Sequence, residues 1–100
     1  MSTPITEEAV RAAVTAAIEA IRAADDGAAL RAARAEHAGE TSPIARLNAA
    51  IKELPAEGRA EAGRLVGQAR AEIGRALAEQ EAVVLVAEEG ARLAAEAVDV

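Results

Sequence analysis

Side chains able to hold a metal, move a proton or attack a carbonyl are scarce in this chain. His37 is the only histidine and there is no cysteine, so imidazole and thiolate cannot assemble a transition-metal site. A histidine near a helix C-terminus gains from the helix dipole, and His37 suits that role better than a ligand's. Glu7 with Glu8, and Glu88 with Glu89, are neighbours in sequence. Neighbours on a helix diverge by about 100° and make poor acid/base pairs. Ser2 and Ser42 have no base to activate them, and Ser42 stands before a proline, where a serine caps a helix. No glycine-rich phosphate loop is present. The expectation is a chain without catalytic residues, metal or cofactor.

Two other groups of residues could do binding chemistry. Arg46 and Lys52, followed by Arg59, Arg64, Arg70 and Arg75, are spaced through the middle of the chain. Spaced cations of this kind can contact the phosphates of an extended RNA and release its counterions. The same residues can equally be a solvated face balanced by Glu53, Glu57, Glu61 and Glu72. Val83, Val84, Leu85 and Val86 are four large apolar residues in a row. On a helix they face every direction, which a two-helix hairpin cannot cover, so this run points to a protein partner.

The elements that carry these residues follow from composition. Hydrophobic residues make up 52% of the 100 residues, but thirty are alanine and none is aromatic. Alanine is the best helix former and buries little area. An elongated all-α assembly with thin alanine seams is expected, and strands are not, because no β-branched or aromatic alternation occurs. Net charge is −6 and uneven. Residues 1–27 hold two bases and five acids, residues 28–75 eight bases and six acids, and residues 76–100 one base and six acids. Only the middle could face a polyanion. The absence of cysteine, of an apolar run of about 20 residues and of a signal-like N-terminus points to a soluble, cytoplasmic chain away from membranes.

Start and stop signals divide one helical domain, residues 1–100, into four helices. Thr6 caps helix 1 (6–25), Glu7 and Glu8 suit its first turn, and Ile5 with Val10 has staple spacing. Val10, Val14, Ile18 and Ile21 mark one face. Asp26 caps helix 2 (28–38), which ends at Gly39, a residue suited to the position after a helix. Ser42-Pro43 opens helix 3 (43–54), and Leu54-Pro55 breaks it. Helix 4 (56–97) carries a heptad through Ala62, Ala69, Ala76, Val83 and Gly90, with Val66, Ile73, Gln80, Ala87 and Ala94. So long a helix with so weak a seam needs a partner, and helices 2 and 3 fold back on it at the 54–55 tip. The fold class is therefore an antiparallel helical hairpin, a coiled-coil arm, with one extra N-terminal helix. Gly58, Gly63, Gly67 and Gly74 inside helix 4 mark either close approach of a partner or a loosely specified surface.

The ordered pieces Leu30-Arg31-Ala32-Ala33-Arg34-Ala35-Glu36-His37-Ala38-Gly39, Ser42-Pro43-Ile44 and Leu54-Pro55-Ala56-Glu57-Gly58-Arg59-Ala60-Glu61-Ala62-Gly63 together resemble a known family. They are similar to the N-terminal arm of the bacterial phenylalanyl-tRNA synthetase alpha subunit. The closing Leu93-Ala94-Ala95-Glu96-Ala97-Val98-Asp99-Val100 resembles the junction leading to that family's catalytic module. The resemblance implies an antiparallel coiled coil that contacts tRNA, tRNA-Phe in particular, through Arg46, Lys52, Arg59, Arg64 and Arg70. It also implies association with the synthetase core or beta subunit, and no ATP or phenylalanine site within these residues. The chain departs from the family at His37-Ala38-Gly39-Glu40-Thr41, which lacks the usual aromatic and basic residues, and at 83–86, usually charged. Those departures suit the alternative, a stand-alone paralogue that dimerises or docks a protein through Val83, Val84, Leu85 and Val86.

Overall fold

The computed structural model describes the backbone of residues 6–98 and the side chains of residues 6–90. Four α-helices follow one another: α1 (Glu7–Ala23), α2 (Gly27–Ala38), α3 (Pro43–Ala50) and α4 (Ala56–Val98), with a 3-10 turn over Ile51–Glu53 closing α3. The molecule measures 68 × 20 × 17 Å. At about 1.5 Å per residue, α4 alone runs nearly that full length.

Local chemistry accounts for the helix starts. The Thr6 hydroxyl accepts from Ala9 N at 3.0 Å, Asp26 Oδ1 from Ala29 N at 2.7 Å, and Ser42 Oγ from Ala45 N at 3.2 Å. Each satisfies a donor that the first turn leaves open. Ile5, the other half of the staple spacing with Val10, lies outside the described residues. Helix 3 ends earlier than its sequence pattern suggests. Leu54, held extended (φ −81°, ψ 152°) by the following proline, forces the last turn into a 3-10 winding, closed by Leu54 N donating to Ile51 O at 3.1 Å.

Gly39, which follows α2 as its sequence suggests, is not in the left-handed conformation common at that position. Its φ is −79°, a conformation open to any residue. Glycine is needed there for a different reason, because a Cβ would collide with the carbonyl oxygen of Ala35.

Long-range contacts set the directions. Val10 and Val14 of α1 lie beside Leu65 and Ala69 of α4, and Ala24 reaches Gln80, so α1 runs parallel to α4. Gly27 of α2 meets Glu88 while Arg34 meets Glu81, so α2 and then α3 return antiparallel to α4. The hairpin has α2–α3 as one leg and α4 as the other. α1 makes the most extensive contact with α4 of any helix.

The core is one strip. It joins Val10, Val14, Ala17 and Ile21 of α1 to Leu30, Ala33 and Ile44, and to Val66, Ala69, Ile73, Ala76, Leu77 and Val84 of α4. Ile21 and Val66 are its largest fully buried apolar side chains, each worth about 1.5–3 kcal/mol of transfer energy.

The strip corrects the heptad. Ala62, Val66, Ala69, Ile73 and Ala76 face inward, but the next inward positions are Leu77 and Val84, while Val83, Ala87 and Gly90 are exposed. Ala62, Ile73 and Val84 are spaced by eleven residues, about 3.67 per turn, the repeat of a helix that does not coil left-handed. A strict heptad drifts about 20° per repeat on a straight helix, and by the third repeat the inward position has moved one residue on.

Candidate nucleic-acid interface

The tip is held by a side chain that the sequence reading assigned to RNA. Arg59 Nε donates to Leu54 O at 2.9 Å, and its Nη2 donates to Lys52 O at 3.2 Å. The guanidinium fork thus bridges the first turns of α4 and the end of the 3-10 turn, satisfying carbonyls exposed where the winding changes. Lys52 stands exposed on that turn, and Arg46 is exposed at the rim of a groove floored by Ala9, Ala12, Ala13 and Leu47.

On α4 the candidates separate into two sets. Arg59 and Arg70 are eleven residues apart and share a face, as do Arg64 and Arg75. The five-residue step from Arg59 to Arg64 turns the second pair about 140° away. Arg64 sits among acids, with Nε donating to Glu61 Oε2 at 3.3 Å and Nη2 to Glu61 Oε1. The hydrogen bond from Arg64, then its charge, holds the Glu61 carboxyl below the ordinary carboxylate range, and the same pairing raises the Arg64 guanidinium.

The Arg59–Arg70 face is different. Between positions 56 and 78 the exposed strip beside it carries Ala56, Ala60, Gly63, Gly67, Gly74 and Ala78 and no acid, and Arg59 and Arg70 stand at its inner edge, where it borders buried Val66 and Leu77. A Cβ built at Gly63, Gly67 or Gly74 meets nothing within 4 Å, so nothing in the fold requires glycine at these three positions. Arg70 is exposed and has no hydrogen-bond or ion-pair partner among the described residues. A rod with cations, no acids and a bare backbone can lie close against a phosphate chain.

At the other end the 83–86 run is divided by the fold. Val84 is 5% exposed, in the core with Leu30, while Val83, Leu85 and Val86 are 57%, 63% and 69% exposed. Two polar residues of α4 missed as functional by sequence reasoning clasp the α1–α2 elbow. Gln80 Nε2 donates to Ala24 O at 2.8 Å, and Glu88 Oε1 accepts from Gly27 N at 2.7 Å. A glutamine in an otherwise apolar seam was the available signal for the first. Glu88 gave none, since its partner is 61 residues away. No described group of histidine, cysteine and acidic side chains could hold a metal ion, and no described helix is long and apolar enough to cross a membrane.

Comparison with known proteins shows what the chain is similar to. The family described as "aminoacyl tRNA synthetase class II, N-terminal domain" matches residues 25–93. The phenylalanine–tRNA ligase alpha subunit of Leifsonia xyli is 54% identical over 99 residues, covering 99% of this chain and 29% of the relative. The alpha subunit of Nocardia farcinica is 40% identical over 96 residues, covering 96% and 28%. That of Streptomyces avermitilis is 48% identical over 85 residues, covering 84% and 23%. The chain thus spans under a third of the length of these relatives.

Proposed function

The chain belongs to the family of the class II aminoacyl-tRNA synthetase N-terminal domain, and from that premise we propose that it is a non-catalytic helical arm that binds tRNA. It corresponds to the N-terminal region of the phenylalanine–tRNA ligase alpha subunit. In this reading it serves phenylalanyl-tRNA aminoacylation in the cytoplasm, works beside the ligase's catalytic core and beta subunit, and takes tRNA-Phe as its RNA. The chemistry of aminoacylation belongs to those other parts of the ligase.

The observation that carries the reading is the acid-free strip of α4 with Arg59, Arg70 and the bare glycines Gly63, Gly67 and Gly74. A polyanion approaching the ends of this chain meets acids; approaching this strip it meets cations and a backbone without side chains in the way. Arg46 and Lys52 extend the basic surface around the tip, while Arg64 is already engaged by Glu61.

Arg70→Glu is the cleanest probe, because Arg59→Glu also removes the tip fork. Binding of a tRNA-Phe transcript is measured by fluorescence anisotropy across a salt series. Arg70→Glu is expected to weaken binding and lower the salt slope by about one, and Arg64→Glu to do less. Absence of tRNA binding at low salt, or equal losses from both reversals, overturns the assignment.

A further inference from the structure

The α1 helix rests on α4 through a specific set of positions. Val10 and Val14 lie beside Leu65, Gln68, Ala69 and Glu72. Eighteen residues later, five turns of an ideal helix of about 3.6 residues per turn, the same four positions are Val83, Val86, Ala87 and Gly90. The strip that seats α1 near the tip therefore recurs near the base, and it recurs more apolar. α1 does not reach it. The helix ends at Ala23, Ala24 is tied to Gln80, and the chain turns away into α2, whose first residue is tied to Glu88. Among the described residues the exposed large hydrophobics are Val83, Leu85 and Val86, all on this one turn.

Charge says what can cover it. From Arg75 to Arg92 the sequence holds no basic residue, and Glu79, Glu81, Glu88 and Glu89 stand on both sides of the apolar turn. Glu81 pairs with Arg34 and Glu88 with the Gly27 amide. Glu79 lies one turn before Val83, Glu89 lies one turn after Leu85 and Val86, and Asp25 follows the end of α1. The bases that the packed elements bring near this turn are Arg22 in the last turn of α1 and Arg31 and Arg34 of α2, the latter two on the Leu85 and Glu88 side of α4. A second copy of this chain would bring these acids against themselves, and RNA would be repelled by them.

We propose that the Val83, Val86 and Ala87 strip of α4 is a docking seat for a helix of a protein partner, lying in line with α1 and carrying apolar residues at i and i+4 flanked by Lys or Arg. The seat is distinct from the arginine strip, so it does not rest on the RNA reading. It uses the helix-in-groove mode, with apolar anchors for affinity and flanking charge for choice of partner.

The test uses two synthetic amphipathic helical peptides of identical leucine spacing, one with lysine and one with glutamate on the polar face. Titration into the chain is followed by calorimetry and by the methyl NMR signals of Val83, Val86 and Ala87. The lysine peptide is expected to bind and shift those signals, and the glutamate peptide not to bind. Val86→Glu, at an exposed site that leaves the fold intact by circular dichroism, is expected to weaken the lysine peptide by at least about tenfold. The pair Glu79→Lys with Glu89→Lys is expected to reverse the peptide preference. Equal binding of both peptides overturns the proposal, as does lysine-peptide binding that survives Val86→Glu. Sedimentation showing a dimer of the chain alone that Val86→Glu dissociates also overturns it, because the seat then belongs to a second copy.

Discussion

Removing the hydroxyl of Ser42 separates a buried cap from an exposed one. Ser42 is fully buried, and its Oγ does two jobs: it accepts from Ala45 N at 3.2 Å to cap α3 and donates to Gly39 O at 2.7 Å to close the α2–α3 turn. Loss of a serine cap costs about 0.5–2 kcal/mol, and loss of the second bond about 1 kcal/mol more. Water cannot readily replace either partner at a site without solvent access. Ser42→Ala is therefore expected to destabilise the chain by about 2 kcal/mol, a fall of roughly 8–16 °C in Tm for a domain of this size. Thr6→Ala is the control. Thr6 caps α1 at an exposed position, where water can take over, so a loss of about 0.5–1 kcal/mol is expected. Thermal and urea unfolding followed by far-UV circular dichroism measures both. A change below about 0.5 kcal/mol for Ser42→Ala, or a larger one for Thr6→Ala, refutes the assignment of weight to burial.

Replacing Gly63, Gly67 and Gly74 by alanine is expected to raise stability by about 0.5–1 kcal/mol each, since none has positive φ and no atom stands in the way. If the strip seats RNA, the triple variant also binds tRNA-Phe more weakly despite its higher Tm; unchanged affinity removes the glycines from the interface. Gly39→Ala is expected to go the other way, destabilising by about 1–3 kcal/mol through the clash with Ala35 O. The Glu61 carboxyl, depressed by its bond to Arg64, is expected to titrate below the ordinary carboxylate range by NMR, and to return toward it in Arg64→Gln. Its small stabilising contribution is present above the ordinary carboxylate pKa and is lost as pH falls through the lowered value.

Helicity and helix starts were legible in the residues because they are local. Thirty alanines and no aromatic residue leave little but helix, and Thr6, Asp26 and Ser42 each bond a backbone amide three residues ahead. The bend at Leu54 follows equally from the ring of the next residue. The family resemblance was legible too, carried by short motifs in fixed order.

Register was not legible. An alanine seam offers nearly the same burial one residue either way, so the choice of Val84 over Val83 as the inward residue was settled by helix drift and by where α2 lies. The spacing of the arginines already separates two faces of the helix, but that Glu61 engages Arg64, and that the carbonyls of Lys52 and Leu54 engage Arg59, came only with the folded chain. Gln80 and Glu88 acquired their partners only when residues 56 and 61 positions away were brought to them. What depended on neighbours within a turn was set by the sequence itself. What depended on which face of a nearly featureless helix meets another was decided by the tertiary structure, because only packing distinguishes one alanine from the next.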